Sequence, residues 1–499
     1  MRTLAFIPAF AALLASPAFG WTCPAQGGPE WREYKTAHFL LDTDMSRSKV
    51  EGLIKSLETM RGLVLNGLFN EDVDLPGHVR VVAPSSPSDF TALAGSSNVG
   101  AYFKMSWQDE SLIVMPVVGS RASDELVAHE LAHLLSHYQF PEQPTWFGEG
   151  LAAFFQTVAK REEQRRDASS QFSHIVRGGS THGASVGVMP TDFMYAFSDN
   201  QQVPPVRELL EWRGAQSTGS AARFHLSSWL LYHWLWNQRG KQFAAYQKRL
   251  ADGDDPDAAW RAAFPEYDPA RPATLASLDH ALSAYAKSAR YGFYKVKTNA
   301  SLKYTEAPLS PADVHLILYH ARAATSSPTT FRAELDEALR EDPQHPQALT
   351  EWARLEGKEI EAERLRAIAN DRKTDFRAWL ALARGTQNDL ERRLACQRAT
   401  ELNPDSAWAQ EETARALVSQ GNANDALAFA NRALDLEPWN PNMIEGLAMV
   451  ARGLGKCEEA LQLERRAVRM FVRDGNEDTR AAASKRLGEL ETSCKQPAR

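Results

Sequence analysis

Residues 123–150 read SDELVAHELAHLLSHYQFPEQPTWFGEG, and this stretch decides how the first part of the chain is interpreted. His129 and His133 are four residues apart. On an α-helix this spacing places both imidazoles on one face, one turn apart, where both can reach a single tetrahedral metal ion. Ser123 can cap such a helix, and acidic residues follow in its first turn. The stretch therefore predicts a capped helix that carries a two-histidine metal site.

The same stretch supplies a base and a third ligand. Glu130 stands beside the open coordination position, where it can take a proton from water whose pKa a zinc ion lowers to about 7. A second predicted helix, 145–156, places Glu149 near its start, and a short turn between antiparallel helices can bring this carboxylate to the imidazoles. Neutral imidazole suits zinc better than calcium or magnesium. We predict one Zn²⁺ per chain, with Glu130 as the base and three ligands: His129, His133 and Glu149.

These assignments have structural alternatives. Glu149 could instead cap or solvate its helix, and the two histidines could be structural. His137 continues the spacing by one more turn, but it lies about 12 Å along the helix axis from His129, too far to share one ion. We therefore assign His137 to the surface.

The motifs His-Glu-x-x-His at 129–133 and Trp-x-x-Glu-Gly at 146–150 resemble those of the gluzincin zinc metallopeptidases, most closely the aminopeptidase N branch. The resemblance covers about residues 100–240. It implies a thermolysin-like α+β metallopeptidase domain that hydrolyses a peptide or protein substrate. Carried over by position, it also makes Glu130 the base and names the same ligands: His129, His133 and Glu149.

Two features depart from this family. The exopeptidase signature Gly-x-Met-Glu-Asn, whose Glu binds a free amino group, is missing, and residues 100–103 take its place. This favours endopeptidase over aminopeptidase action without deciding between them. The tyrosine that stabilises the oxyanion in the family falls on Phe224. The remaining candidate donors are His225, Tyr232 and Tyr195; without a donor, hydrolysis would be slower by a factor on the order of a hundred.

Around this stretch the sequence predicts an α+β arrangement within a domain spanning residues 21–300. A helix is predicted at 46–68, and a buried helix rich in tryptophan and leucine at 225–237. Pro116 favours an edge position for the last predicted strand. The predicted strands are 38–42, 78–83 and 111–118.

The C-terminal third repeats every 34 residues. Four pairs share this spacing: Pro404 and Pro438, Gly421 and Gly455, Ala426 and Ala460, Ala433 and Ala467. Thirty-four residues is the period of a helix-turn-helix unit whose small residues let its helices approach closely. These residues resemble the tetratricopeptide family, which implies an all-α tetratricopeptide-repeat solenoid at 312–495 that binds substrate or a protein partner. Residues 480–494 could supply its closing helix, and a plain α-helical domain is the alternative.

The composition of the chain limits the remaining possibilities. A length of 499 residues favours more than one domain. A net charge of -7 argues against a nucleic-acid partner, and after residue 20 no apolar run is long enough for a membrane span. Residues 1–20 resemble a secretory signal peptide, which predicts a periplasmic or secreted protein; a cytosolic N-terminal helix is the alternative. An oxidising compartment would permit one disulfide, most readily Cys457–Cys494, although four free thiols fit as well.

Three functional hypotheses remain open. The first is an exported zinc-dependent peptidase. The second is a catalytically weak or inactive peptidase-like domain that serves as a protein-binding scaffold through its repeats, which Phe224 favours and Glu130 disfavours. The third is a zinc hydrolase that acts on something other than a peptide.

Overall fold

The computed structural model of this protein describes residues 24–69, 73–97, 99–107, 110–116, 121–157, 184–189, 193, 205–212, 218–288, 294–296, 302–323, 328–474 and 477–495. The predicted signal peptide and the candidate donor Tyr195 lie outside these residues, so export stays a prediction. Among the described helices, none is sufficiently long and apolar to cross a bilayer.

A six-stranded mixed sheet forms one layer of the N-terminal part. Its order is β4-β5-β3-β2-β1-β8, in which β2, β3 and β5 run parallel and the other pairs are antiparallel. A small second sheet joins β6 to β7. The strands are β1 Arg32–Lys35, β2 Phe39–Thr43, β3 Val79–Val82, β4 Tyr102–Lys104, β5 Leu112–Val114, β6 Ala184–Val186, β7 Tyr294–Val296 and β8 Thr305–Pro308.

The sheet differs from the predicted pattern at two places. The predicted strand at 111–118 is β5, which ends at Val114 and has neighbours on both sides, so the edge placement drawn from Pro116 was wrong. Pro116 follows the strand and removes no ladder hydrogen bond. β8 lies after residue 300, between the two predicted domains, and pairs with β1. The sheet thus includes a strand from a segment that the prolines at 272, 308 and 311 predict to be a linker.

Nine helices of the described chain accompany the sheet. The predicted helix at 145–156 is confirmed with the same bounds. The helix that carries the histidines begins at Arg121, two residues before the predicted cap at Ser123. The helices are α1 Arg47–Phe69, α2 Pro87–Ala94, α3 Arg121–Gln139, α4 Thr145–Gln156, α5 Val206–Leu210, α6 Thr218–Gln238, α7 Gly240–Ala251, α8 Pro256–Ala263 and α9 Pro272–Ser288.

The rest of the described chain is a helical repeat array, as the 34-residue period predicts. Consecutive helices pack in pairs, and alternate helices touch from one unit to the next. The array comprises α10 Pro311–Ala321, α11 Pro328–Glu341, α12 Pro346–Glu356, α13 Ala362–Asp371, α14 Phe376–Gly385, α15 Asp389–Leu402, α16 Ala407–Ser419, α17 Ala423–Leu436, α18 Pro441–Gly453, α19 Cys457–Asp474 and α20 Glu477–Lys495.

The residues that define the repeat have the structural roles that the pattern indicates. Gly421 and Gly455 end the first helix of their units with φ of +80° and +76°, which only glycine adopts without strain. The paired alanines Ala426 and Ala460 are fully buried where two helices meet. A disulfide joins Cys457 to Cys494 and fastens the closing helix α20 to α19.

The array begins against the sheet. Val314 and Leu318 of α10 are buried in one apolar cluster with Val82 and Val114 of the sheet. Lys104 of β4 donates hydrogen bonds to backbone carbonyls at the end of α10. The first repeat helix therefore covers one face of the sheet.

Asp313 joins three helices of the array and gives a pH-dependent prediction. Its carboxylate accepts hydrogen bonds from His345 and Arg377, and from Ser310 at the start of α10. Burial opposes its ionisation, but these hydrogen bonds and the positive charge of Arg377 outweigh it, so the pKa of Asp313 is lowered. A lowered folded-state pKa stabilises the fold above the unfolded value, about 4, and this contribution is lost as the pH falls.

We expect Asp313→Asn to lower the unfolding free energy at pH 7 by about 1–3 kcal/mol, because a partly buried network loses its negative charge and one of its two acceptor oxygens. Thermal unfolding at pH 7 and pH 3 measures this, and the difference from wild type should shrink at pH 3. Asp336→Asn, in an exposed pair with Arg332, is the control and should change little. A deficit that is equal at both pH values would contradict the assignment.

Candidate metal centre

The helices α3 and α4 form a hairpin that brings the predicted ligands together. His129 and His133 lie on one face of α3, and Glu149 lies in the second turn of α4. The ligand atoms of these three residues lie within 4.8 Å of one another, and within the described residues this is the one such group of three. The structure therefore brings together the three residues that the sequence singled out.

Their separations suit a single ion. The two Nε2 atoms are 3.1 Å apart, and Oε2 of Glu149 is 3.5 Å from that of His133 and 3.8 Å from that of His129. Ligands that surround zinc tetrahedrally at its usual bond lengths would be about 3.3 Å apart. His129 Nδ1 lies 3.3 Å from Oε1 of Gln156, an acceptor, which assigns the ring hydrogen to Nδ1 and leaves Nε2 free to bind a metal. The residues present fit zinc.

Glu130 has the surroundings of an acid-base group. Its side chain is buried beside the three candidate ligands, and it accepts a hydrogen bond from the backbone of Phe103 in β4. Burial raises the pKa of Glu130 to about 7, against the opposing influence of His133. A carboxyl group with a pKa near neutrality can both accept and return a proton.

The pKa values of the candidate ligands are separated by their surroundings. Burial, followed by the charge of His133, lowers the pKa of His129 to about 3. Burial also opposes charge on Glu149 and His133, but their mutual attraction outweighs it: the pKa of Glu149 is lowered well below its usual range and that of His133 is raised. Zinc requires neutral imidazoles and an ionised carboxylate. The shifts of His129 and Glu149 favour these states, whereas a bound zinc ion would have to displace a proton from His133.

Three of the positions considered for oxyanion stabilisation lie in the described part of the chain, and their surroundings differ. Phe224 is buried and stacks on Trp212, with ring centroids 4.0 Å apart, so it takes no part in the site. Tyr232 lies in the aromatic core, where its hydroxyl accepts a hydrogen bond from Gln247. His225 is at the site, with Nδ1 2.9 Å from Oε2 of Glu149. Of the described candidates, His225 alone reaches the metal-binding residues.

The assignment of His137 to the surface was wrong. The residue is only 9% exposed, and the centroid of its ring lies 6.2 Å from that of Phe103 and 6.3 Å from that of Trp439. Burial lowers the pKa of His137 to about 3. Helical spacing gave its distance from His129, but the covering Trp439 comes from the repeat array, 302 residues away in the sequence.

Two residues that shape the site went unnoticed in the sequence. Gln156 orients His129 by accepting a hydrogen bond from its Nδ1. Gly150 allows α4 to approach α6 closely, because a Cβ at this position would lie 2.5 Å from the carbonyl oxygen of Ser228 and 2.7 Å from Cβ of Tyr232. The glycine of the Trp-x-x-Glu-Gly motif was the available signal for this approach.

No protein-family model matches the chain, and no curated protein matches it either. Solved structures of repeat proteins match part of it. TTC0263, a thermophilic tetratricopeptide-repeat (TPR) protein of Thermus thermophilus, is 18% identical over 36% of this chain and 93% of its own, with a TM-score of 0.26. A MamA protein is 16% identical over 32% of this chain and 92% of its own, with a TM-score of 0.23. At these TM-scores the likenesses carry no argument, and the repeat fold rests on the helices themselves.

Proposed function

We propose that this protein is an exported zinc-dependent peptidase whose helical repeats bind its substrate or a partner protein. One observation carries the proposal: the convergence of His129, His133 and Glu149 beside the buried carboxyl group of Glu130. A purely structural zinc site would more often close with a fourth protein ligand and has no use for such a carboxyl group.

The residues of the chain have separate roles in this proposal. His129, His133 and Glu149 hold zinc, which supplies Lewis acidity and lowers the pKa of a water molecule to about 7. Glu130 accepts the proton of the attacking water and returns it to the departing amine. A buried carboxyl group with a raised pKa suits both transfers.

The edge of the sheet supports a peptide as the substrate. β4 is the last strand on its side of the sheet within the described residues, and α3 lies against it. The backbone of Phe103 in this strand contacts Glu130. An extended peptide that paired with β4 would therefore lie along the catalytic carboxyl group. This arrangement requires no free amino terminus, which favours endopeptidase action.

His225 is the proposed donor to the oxyanion. We expect His225→Ala to retain zinc and to lower kcat by about 100-fold, the loss typical when one oxyanion donor is removed. Steady-state kinetics with a fluorogenic peptide, together with zinc analysis, measure both quantities. His280→Ala, on α9, is the matched histidine control and should leave kcat unchanged. Loss of zinc in His225→Ala would reassign His225 as a residue that secures the metal.

A protein-binding scaffold is the second candidate. Burial of Phe224 against Trp212 favours it, because the position that donates to the oxyanion in the resembled family has no donor here. In this case the repeat array would carry the function through a protein partner. The inactive alternative and the peptidase differ in whether the zinc-loaded protein cleaves anything.

The test combines zinc stoichiometry with cleavage of an unfolded protein by the purified full chain. One zinc per chain with cleavage that stops in Glu130→Gln supports the peptidase. One zinc without any cleavage supports the scaffold. A chain without zinc, prepared with the metal supplied, overturns the metal centre.

A further inference from the structure

Three arginines of the repeat array hold the turn between α3 and α4. Arg466, Arg469 and Arg473 recur at intervals of three and four residues, so they share one face of α19. Arg466 and Arg469 donate to the carboxylate of Glu142 at 2.9–3.3 Å, and Arg473 donates to its backbone carbonyl at 3.0 Å. Thus one residue of the turn receives hydrogen bonds from three side chains of a single helix.

Glu142 is buried, with a side chain only 2% exposed. A carboxylate in such a place must be paired, because an isolated buried charge is strongly unfavourable. Arg469 also donates to the backbone carbonyl of Gly253, beyond α7, so it joins two turns of the N-terminal part. The pairing fixes both the side chain and the main chain of the turn.

The turn connects directly to the proposed metal ligands. Gln143, the next residue, donates to Oγ of Ser136, which in turn donates to the backbone carbonyl of His133. Pro144 accepts the first backbone hydrogen bonds of α4, and Glu149 follows five residues later. The position of this turn therefore sets how α4 presents Glu149 to α3.

Further contacts between the array and the N-terminal part surround the pairing of Glu142 with the arginines. Trp439, just before α18, packs edge-to-face on Tyr138 at the end of α3, with centroids 5.0 Å apart. Phe471 of α19 packs in the same manner on Trp107. The side chain of Asn442 donates to the backbone carbonyl of Trp107. The arginines thus act within an ordered interface.

We propose that the repeat array is a supporting part of the metal centre, in which Arg466, Arg469 and Arg473 are positioning residues that hold Glu142 and thereby align Glu149 with the two histidines. This inference rests on the proposed zinc site. The array consequently has a role in building the site in addition to any partner that it binds. Groups that hydrogen-bond the ligands of a metal typically change its affinity by 10–100-fold, and these arginines act on the same ligands through one intervening turn.

The test compares Arg466→Ala/Arg469→Ala with wild type in the full chain. Zinc affinity is measured by competition with a chromophoric chelator, and hydrogen–deuterium exchange of residues 138–150 is followed in metal-free protein. We expect zinc affinity to fall by about 10–100-fold and exchange in this segment to rise. The double Lys variant, which keeps the charges, should restore part of the affinity. Arg473→Ala offers a milder change, expected to act in the same direction, should the double Ala variant fail to fold.

Arg465→Ala is the control, because Arg465 lies on the same helix but pairs with Glu491 within the array. It should leave both quantities unchanged. Zinc affinity of the arginine variants within twofold of wild type would overturn the inference, even if exchange rose. A wild-type chain that binds no zinc would overturn the metal centre itself, and that result is distinguishable because it needs no variant.

Discussion

We expect Glu130→Gln to keep one zinc per chain and to lose hydrolysis by a factor of about 10²–10⁴, the usual contribution of a positioned general base. Glutamine has nearly the shape of glutamate but cannot accept the proton of the attacking water. The ligand atoms belong to other side chains, so the metal should remain. Zinc analysis and cleavage of an unfolded protein, on the same preparation, measure the two effects separately.

We expect the opposite pattern from the ligand variants. His129→Ala or His133→Ala should lose zinc, and with it all cleavage, because two remaining ligands hold the ion poorly. Glu125→Gln, on the same helix as Glu130, is the matched control and should retain both zinc and activity. Cleavage by Glu130→Gln within tenfold of wild type would remove Glu130 from the mechanism, and zinc retained by both histidine variants would remove the ligand assignment.

The spacing of residues along the sequence predicted two features of this molecule, the cluster of metal ligands and the repeat array. A helical period of 3.6 residues placed His129 and His133 on one face, and the start of α4 at Thr145 placed Glu149 within reach. Likewise the 34-residue period predicted the array, in which Gly421 and Gly455 occupy equivalent turns. In each case the residues that define the pattern lie within about one repeat length of each other in the sequence.

The sequence patterns do not predict contacts between segments that are far apart in the chain. The distance from His129 along the helix led to a surface assignment for His137, and nothing near it in the sequence indicates the contact with Trp439. Nor does the sequence around Glu142 indicate its pairing with arginines of α19, which lie more than 320 residues away. Three arginines on one helix face are more often solvated than buried. Only the docking of the array onto the α3–α4 hairpin gives them a common partner.

Gly150→Ala is expected to disrupt the site through packing alone. The added Cβ would lie 2.5 Å from the carbonyl oxygen of Ser228, and backbone atoms cannot turn aside as a flexible side chain can. The helices α4 and α6 must therefore separate, at a cost of about 1–3 kcal/mol or more. Because Glu149 is the preceding residue, this movement also displaces the third ligand, so both thermal stability and zinc affinity should fall.

Gly240→Ala separates this effect from the general consequence of replacing a glycine. Gly240 begins α7, and a Cβ there would meet no atom within 4 Å. Alanine at that position should leave zinc affinity unchanged and stability equal or slightly higher, since alanine restricts the unfolded chain. Thermal unfolding and chelator competition on the two variants make the comparison. If Gly150→Ala matched Gly240→Ala in both measurements, α4 and α6 would not be as closely packed as described, and the motif glycine would have no part in holding Glu149 in place.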